Sequence, residues 1–353
     1  MLEKLPILGI CGFSGSGKTT LIEEAVPHLN AKGLKIAVVK HDAHRIVLDT
    51  PGKDSDRLFK SGADVFLQGQ TEEFFRIHSP DESGLFHKLI DLTRQYDLVF
   101  IEGRKNIAVQ KIWLLSEGED APPDGMEGVV SVLRREEDRL EYLLKFIDRW
   151  LPAQWAETPV YGCVLIGGKS LRMGKPKHLI EDNGKTWLEK TVNSLKHAVQ
   201  KVVFSGDGEI PEEFSKKSGI ERLTDVPGIE GPMAGILSCM RWAPHVSWLV
   251  VSCDLPDIST DAVNWLLSTR KPGVWATLPR MNDTEYIEPL FAHYDFRSQT
   301  LLETLAANAV FSPAQISDNS KVINISPPEN LAPSWKNINS NEKLVSRRNA
   351  EVN

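Results

Sequence analysis

The sequence predicts an α/β chain of two consecutive domains, each a mostly parallel sheet flanked by helices, and three observations predict it. Its 353 residues are too many for one ordinary domain and enough for two that each bury a core. Short apolar, β-branched runs alternate with segments of helical periodicity, the pattern of βα units. Twice, at Pro6–Cys11 and at Val160–Ile166, such a run breaks into a glycine-rich loop carrying lysines, where an open parallel sheet collects its ligands.

The first run leads into Gly12-Phe-Ser-Gly-Ser-Gly-Lys-Thr19, a complete G-x-x-x-x-G-K-T loop. Behind it Leu21, Ile22, Ala25, Val26 and Leu29 recur at helical spacing, so the loop opens a helix whose N–H groups and dipole add to a phosphate cradle. In this P-loop NTPase fold Gly12, Ser14, Gly15, Ser16, Gly17 and Thr20 form the cradle, Lys18 reaches the β- and γ-phosphates, and the Thr19 hydroxyl ligates Mg²⁺. Leu34–Lys40 is the second strand. It delivers His41 and His44, with Asp49, Asp54 and Asp56 downstream, which leaves open either a metal site lacking a clear third ligand or a polar loop facing the nucleotide or a partner substrate. Ser55–Ala63 and Gly84–Gln95 are expected as helices, and Val65–Leu67 and Glu73–Ile77 as strands of the same doubly wound sheet. Asp97–Glu102 has the form of a Walker B strand, and Glu102 at its tip is placed to hold Mg²⁺ through water or to orient an attacking water. Val109–Leu115 and Gly128–Leu133 continue the sheet, and an amphipathic helix from Glu136 to Trp150 closes it. Leu151–Pro159, with a proline near each end and no periodicity, is expected to be a linker.

The second run ends in Gly167-Gly168, where missing Cβ atoms let a ligand approach the backbone, and Arg172, Lys175 and Lys177 follow at short intervals. That much positive charge suits a triphosphate whose α-phosphorus is attacked, with Lys177 as the catalytic cation; a glycine turn before a solvated basic face is the plainer alternative. Thr186–Ala198 is expected as a helix, Lys201–Ser205 and Ile220–Asp225 as strands, and Val226–Ile236 as a loop entering a helix. Val246–Cys253 is a buried strand carrying Asp254 to its tip, where a carboxylate can hold Mg²⁺ against the α-phosphate or else cap the helix at Ile258–Ser268. Ser340–Asn353 has no apolar face and is expected to be disordered.

Leu165-Ile-Gly-Gly-Lys-Ser-Leu-Arg-Met-Gly-Lys-Pro-Lys177 resembles the nucleotidyltransferase signature L-x-G-G-x-S-x-R-M-G-x-x-K of the molybdenum cofactor guanylyltransferases, which use a Rossmann-like fold. Gly231-Pro-Met-Ala-Gly235, Cys253-Asp-Leu-Pro256, Ile287–Ala292 and Lys321–Leu331 extend the likeness. The resemblance implies GMP transfer from GTP to molybdopterin, with Arg172, Lys177 and Asp254 catalytic and Leu165, Ile166, Gly167, Gly168, Ser205 and Asp225 around the nucleotide. Asn324 would touch the acceptor. Serine stands at position 205, where asparagine is usual, and Ser326 replaces a second asparagine. Ile166-Gly167-Gly168 in place of Ala-Ala-Gly tilts the reading from CTP to GTP. A cytidylyl- or sugar-nucleotidyltransferase on the same fold, and a non-catalytic cofactor-delivery adaptor, remain alternatives.

Residues 12–20, 39–44, 49–55 and 100–105 together resemble the P-loop accessory protein of that same guanylylation. This likeness implies GTP binding, weak GTP hydrolysis, a homodimeric N-terminal domain, and partners among molybdoenzyme apoproteins and other cofactor-biosynthesis proteins. The expected organisation is an adaptor domain at 1–152, a linker at 153–158, a guanylyltransferase domain at 159–338 and a tail at 339–353.

A net charge of −7, with its basic residues in short loops, argues against a general nucleic-acid binder and points to small anionic ligands. Cys11, Cys163, Cys239 and Cys253 lie in or beside apolar segments without zinc spacing, so they are expected as buried reduced thiols. No apolar run approaches the ~20 residues that cross a bilayer, and the first residues lack a secretory pattern, so no membrane association and a cytoplasmic location are expected.

Overall fold

The computed structural model describes residues 2–40, 49–78, 83–167, 176–281 and 286–338. His41, His44, Gly168, Arg172 and the tail from 339 lie outside the described residues. The chain divides into two compact units, Met1–Lys145 and Phe146–Asn353.

In the first unit, β1 (Ile7–Cys11), α1 (Lys18–Ala31), β2 (Ile36–Lys40), α2 (Asp54–Lys60), β3 (Val65–Gln68), β4 (Glu73–Arg76), α3 (Ser83–Thr93), β5 (Leu98–Glu102), β6 (Gln110–Leu114) and β7 (Val129–Leu133) follow in order, and α4 (Arg139–Glu157) begins. The sheet is wholly parallel in the order β2-β5-β1-β6-β7. Its central strands β1 and β5 are buried along their whole length, which is why they read as continuous apolar runs.

Residues 65–67 and 73–77 do not join this sheet. β3 and β4 form their own antiparallel hairpin, with Phe66 and Phe75 paired across it at 6.0 Å and 55% and 58% exposed. The short connection dictates this, because a turn closed by Gly69 N–H on the Glu72 carbonyl at 2.9 Å cannot make the crossover that parallel strands need.

The segment expected as an irregular linker is the end of α4, which runs through Pro152 to Glu157. Pro152 forgoes one backbone bond, but Trp150, Leu151 and Trp155 are buried around it. The Arg270 guanidinium donates to the Trp155 and Thr158 carbonyls at 2.9 and 3.1 Å, giving the helix end its missing donors. Arg297 lies over the Trp155 ring at 4.1 Å.

The second unit contains β8 (Val160–Leu165), the short pair β9 (Glu181–Asp182) and β10 (Lys185–Thr186), α5 (Trp187–Leu195), β11 (Lys201–Ser205), α6 (Glu212–Ser218), β12 (Glu221–Leu223), α7 (Pro232–Trp242), β13 (Ser247–Ser252), α8 (Thr260–Ser268), β14 (Ala276–Pro279), β15 (Phe291–Tyr294), α9 (Gln299–Ala307) and β16 (Val322–Ile325). Its seven-stranded sheet runs β12-β11-β8-β13-β15-β14-β16, parallel except at β15, which is antiparallel to β13 and β14. Alternate residues serve opposite faces. Cys163, Val203, Trp248 and Val250 pack with Ile236, Leu237 and Met240 of α7, whereas Val164, Phe204, Leu249 and Val251 pack with Leu188 and Val192 of α5 and Val263 and Leu266 of α8. Strand β8 has β11 on one side and β13 on the other, so the loops leaving all three strands open at one end of the sheet, the switch-point position for a ligand.

All four cysteines are buried and unbridged. Burial pushes the Cys11 and Cys253 thiols up, Cys253 to about 12. Among the described residues no helix is long and apolar enough to cross a membrane.

Candidate active site

Two side chains distant in the chain meet at the open end of the second sheet. The Lys177 ammonium donates to Asp254 Oδ2 at 3.1 Å, the two side chains being 20% and 18% exposed. Lys177 opens a short 3-10 turn after the glycine loop, and Asp254 follows the tip of β13. The Ser252 hydroxyl donates to Asp254 Oδ1 at 2.6 Å, so the carboxylate is held from both sides. Capping of α8 falls to Ser259, whose hydroxyl accepts the Ala262 N–H, which leaves Asp254 clear of that structural task. A carboxylate flanked by a hydroxyl and a lysine is a hard oxygen environment that suits Mg²⁺ shared with substrate phosphates; among the described residues no group of three ligand-type side chains forms a complete protein cage.

The residues expected around the nucleotide also converge. The Ile166 N–H donates to the Ser205 carbonyl at 2.8 Å, and the buried Ser205 hydroxyl lies 3.4 Å from Asp225 Oδ1 and 3.3 Å from the Gly235 carbonyl. Partial desolvation raises the Asp225 carboxyl, opposed by the Ser205 bond and reinforced by the charge of Asp207. Glycine is required beyond Gly167. A Cβ on Gly235 would stand 2.7 Å from Leu165 Cδ2, and one on Gly206, at φ +113°, would stand 2.0 Å from the Ile166 carbonyl oxygen. Arg222 grips the Gly206 carbonyl through Nε at 2.9 Å and Nη2 at 2.7 Å, and Gly208 N–H donates to the Ile166 carbonyl at 3.1 Å. The loop after β11 is thereby laid against the loop after β8. Asn324, by contrast, turns its amide to the Ser317 carbonyl at 2.9 Å, and among the described residues no bond joins it to Lys177 or Asp254.

One residue of the site is not singled out by sequence. Glu288 is 4% exposed, accepts the Leu290 N–H at 2.9 Å and feels the charge of Asp254; burial first, then that charge, push its carboxyl up to about 7. Its only advance signal is a carboxylate inside the apolar run Ile287–Ala292. Because the folded carboxyl titrates near 7 and the unfolded one near 4.5, the native state holds the extra proton between those values. Stability therefore falls as pH rises through that window, by about 3 kcal/mol in full. In magnesium-free buffer Glu288→Gln is expected to flatten this dependence, raising the urea midpoint above that of the parent at pH 8 and matching it at pH 4.5.

In the first unit the P-loop follows β1, with Gly15 and Gly17 at φ +77° and +90°. Lys18 arches back over the loop, its ammonium donating to the Gly12 and Phe13 carbonyls at 3.2 and 2.7 Å. The Thr19 hydroxyl donates to Glu102 Oε1 at 2.5 Å, and Lys40, directly opposite Glu102 in the β2–β5 register, brings its ammonium within 3.5 Å of the same oxygen. Thr19 and Glu102 thus present two adjacent oxygen donors of the kind that suits a phosphate-bound Mg²⁺. The buried Ser16 hydroxyl has no partner among the described residues. Ser14 in the loop and Thr20 in the first turn of α1 are exposed.

Arg139 is a second residue that spacing does not reveal. Its guanidinium donates to the carbonyls of Ser16 at 2.6 Å, Leu115 at 2.6 Å, Leu133 at 3.3 Å and Arg134 at 2.9 Å, tying the P-loop to the ends of β6 and β7. Arg139→Ala is expected to destabilise the first unit by about 2 kcal/mol, read from urea unfolding, because these carbonyls lose a charged donor.

The carboxylates downstream of His44 are occupied. Arg76 donates to Asp49 at 3.1 Å and Asp56 at 3.2 Å; Asp56 also accepts from Lys60 and the Gly52 N–H, bonds that hold its carboxyl far below the usual range. Among the described residues these carboxylates form no metal cluster.

Two family models match the chain: "Molybdopterin guanine dinucleotide synthesis protein B" over residues 7–133 and "MobA-like NTP transferase domain" over residues 162–312. A molybdopterin-guanine dinucleotide biosynthesis adapter protein of Haemophilus influenzae is 32% identical over 164 residues, covering 43% of this chain and 92% of that one. A probable molybdenum cofactor guanylyltransferase of Bacillus mycoides is 30% identical over 194 residues, covering 52% of this chain and 93% of its own. A molybdenum cofactor biosynthesis bifunctional protein of Synechocystis is 33% identical over 144 residues, 40% of this chain and 41% of that protein. The chain accordingly belongs, through its first half, to the molybdopterin-guanine dinucleotide biosynthesis adapter proteins and, through its second, to the molybdenum cofactor guanylyltransferases.

Proposed function

We infer that the second unit transfers GMP from GTP to Mo-molybdopterin, giving the guanine dinucleotide cofactor and pyrophosphate, and that the first is a GTP-binding accessory domain. The observation that most supports this is the Lys177–Asp254 contact, which joins the cationic glycine loop to the acidic tip of β13 at one place. In the reaction an oxygen of the acceptor's terminal phosphate bonds to the α-phosphorus of GTP, the bond to the bridging α–β oxygen breaks, and pyrophosphate leaves with that electron pair. No protein nucleophile is required, because the acceptor phosphate is already anionic. Lys177 neutralises charge gathering on the triphosphate; Gly167, Ser205 and Asp225 orient the nucleotide. Arg172 and Gly168 would complete the cradle. Asp254, supported by Ser252, would hold Mg²⁺, whose chemistry there is charge neutralisation on the phosphates.

In the first unit Gly12, Gly15, Gly17, Lys18 and Thr19 would hold the phosphates and Glu102 the metal side, with slow GTP hydrolysis. A cytoplasmic location, a homodimeric first unit and contact with molybdoenzyme apoproteins belong to the same reading. Purified chain supplied with Mo-molybdopterin, Mg²⁺ and one of the four ribonucleoside triphosphates at a time is expected to release pyrophosphate with GTP alone. Equal turnover with CTP would overturn the assignment.

A further inference from the structure

We propose that Lys105 is a second phosphate-binding cation of the P-loop site, stored on aromatic rings and transferred to the terminal phosphate of a bound nucleoside triphosphate. The inference rests on Gly12–Thr19 being a nucleoside triphosphate site. Beyond Glu102 the chain takes two left-handed residues in succession, Gly103 at φ +81° and Arg104 at φ +42°. A positive φ is unfavourable for arginine and is sustained only where the surroundings impose it. Its effect is to carry Lys105 back over the P-loop. The Lys105 ammonium stands 3.7 Å from the ring centroid of Phe13, the second residue of the loop, and 5.1 Å from that of Trp113 on β6. Phe13 and Trp113 are packed edge to face at 5.8 Å, and the Trp113 indole is anchored on Glu119 Oε1 at 2.9 Å, so the aromatic seat is fixed.

Among the described residues Lys105 has neither a hydrogen bond nor a carboxylate partner. The Phe13 carbonyl meanwhile accepts from Lys18, which places two lysine chains around one loop residue, while Lys40 pairs with Glu102 at 3.5 Å. Burial, with repulsion from Lys105 and Lys40, holds the Lys18 ammonium below its ordinary value despite Glu102. Lys18 thus has two ammonium groups and one carboxylate as its charged lysine and glutamate neighbours, a local excess of positive charge that suits a polyanion. A charge-assisted hydrogen bond to phosphate is stronger than a cation–π contact at a half-exposed ring, so bound triphosphate draws Lys105 off Phe13 and Trp113.

The test uses the full chain with radiolabelled GTP and GDP in equilibrium dialysis, taking as P-loop-dependent the binding that Lys18→Ala removes. Lys105→Met is expected to weaken that GTP binding at least about tenfold and GDP binding less than about threefold, while Lys105→Arg stays near the parent. Trp113 is the sole tryptophan among residues 1–145, so the emission difference from a Trp113→Phe chain reports on the seat. GTP is expected to change that difference in the parent and to leave it unchanged in Lys105→Met. Parent-like GTP affinity in Lys105→Met, with Lys18→Ala still abolishing binding, overturns the role of Lys105 alone. No loss in Lys18→Ala overturns the P-loop assignment and this inference with it.

Discussion

Asp254→Ala is expected to lower GMP transfer by at least about a thousandfold while the protein stays folded. The side chain is held by Lys177 and Ser252 and caps no helix, so little of the fold depends on it. Its removal leaves the Lys177 ammonium without its carboxylate and removes the charged oxygen donor facing the triphosphate. Asp254→Asn keeps the shape and loses the charge, and should be equally inactive. Pyrophosphate release under saturating substrates, beside thermal melts within a few degrees of the parent, checks both variants. A rate above a tenth of the parent's in either would show that the centre lies elsewhere.

Gly206→Ala is expected to be the most damaging single methyl group in the second unit. At φ +113° a side chain is strained, and its Cβ would overlap the Ile166 carbonyl oxygen at 2.0 Å, a backbone atom that cannot rotate away. Strain and overpacking together amount to about 3–5 kcal/mol. The relief available is to pull the loop after β11 away from the loop after β8, which breaks the Arg222 grip and the Gly208 bond. Unfolding should therefore occur at lower urea, and GTP binding by the second unit should fall even in the folded fraction. Gly184→Ala is the control: its φ is +73°, but its Cβ would meet nothing within 4 Å, so only about 1 kcal/mol is at stake. Equal losses at the two positions would show that backbone angle, not contact with Ile166, governs the site.

What sequence can reveal here follows from how local each device is. The two glycine loops are legible because strand, loop and charged residue adjoin in the chain, and Lys18, Thr19 and Lys177 stand where that adjacency puts them. Glu102 and Asp254 are legible as strand tips, since a buried strand ending in a carboxylate has few other uses. Glu288, Ser252 and Arg139 are hidden because their roles come from neighbours brought by topology: Arg139 serves carbonyls on three separate segments. Phe66 and Phe75 mislead in the opposite sense, being apolar residues of a hairpin that leaves both exposed. Pro152 misleads because tertiary burial of Trp150 and Trp155 outweighs one lost backbone bond.

The burial of all four thiols is expected to keep the folded chain unreactive toward maleimides and disulfide reagents. A single cysteine engineered at an exposed position would then be a unique handle for a fluorophore or spin label, with no wild-type thiol to remove beforehand. Pulsed alkylation under mild denaturant would read the two halves separately, through Cys11 in the first and Cys163, Cys239 and Cys253 in the second.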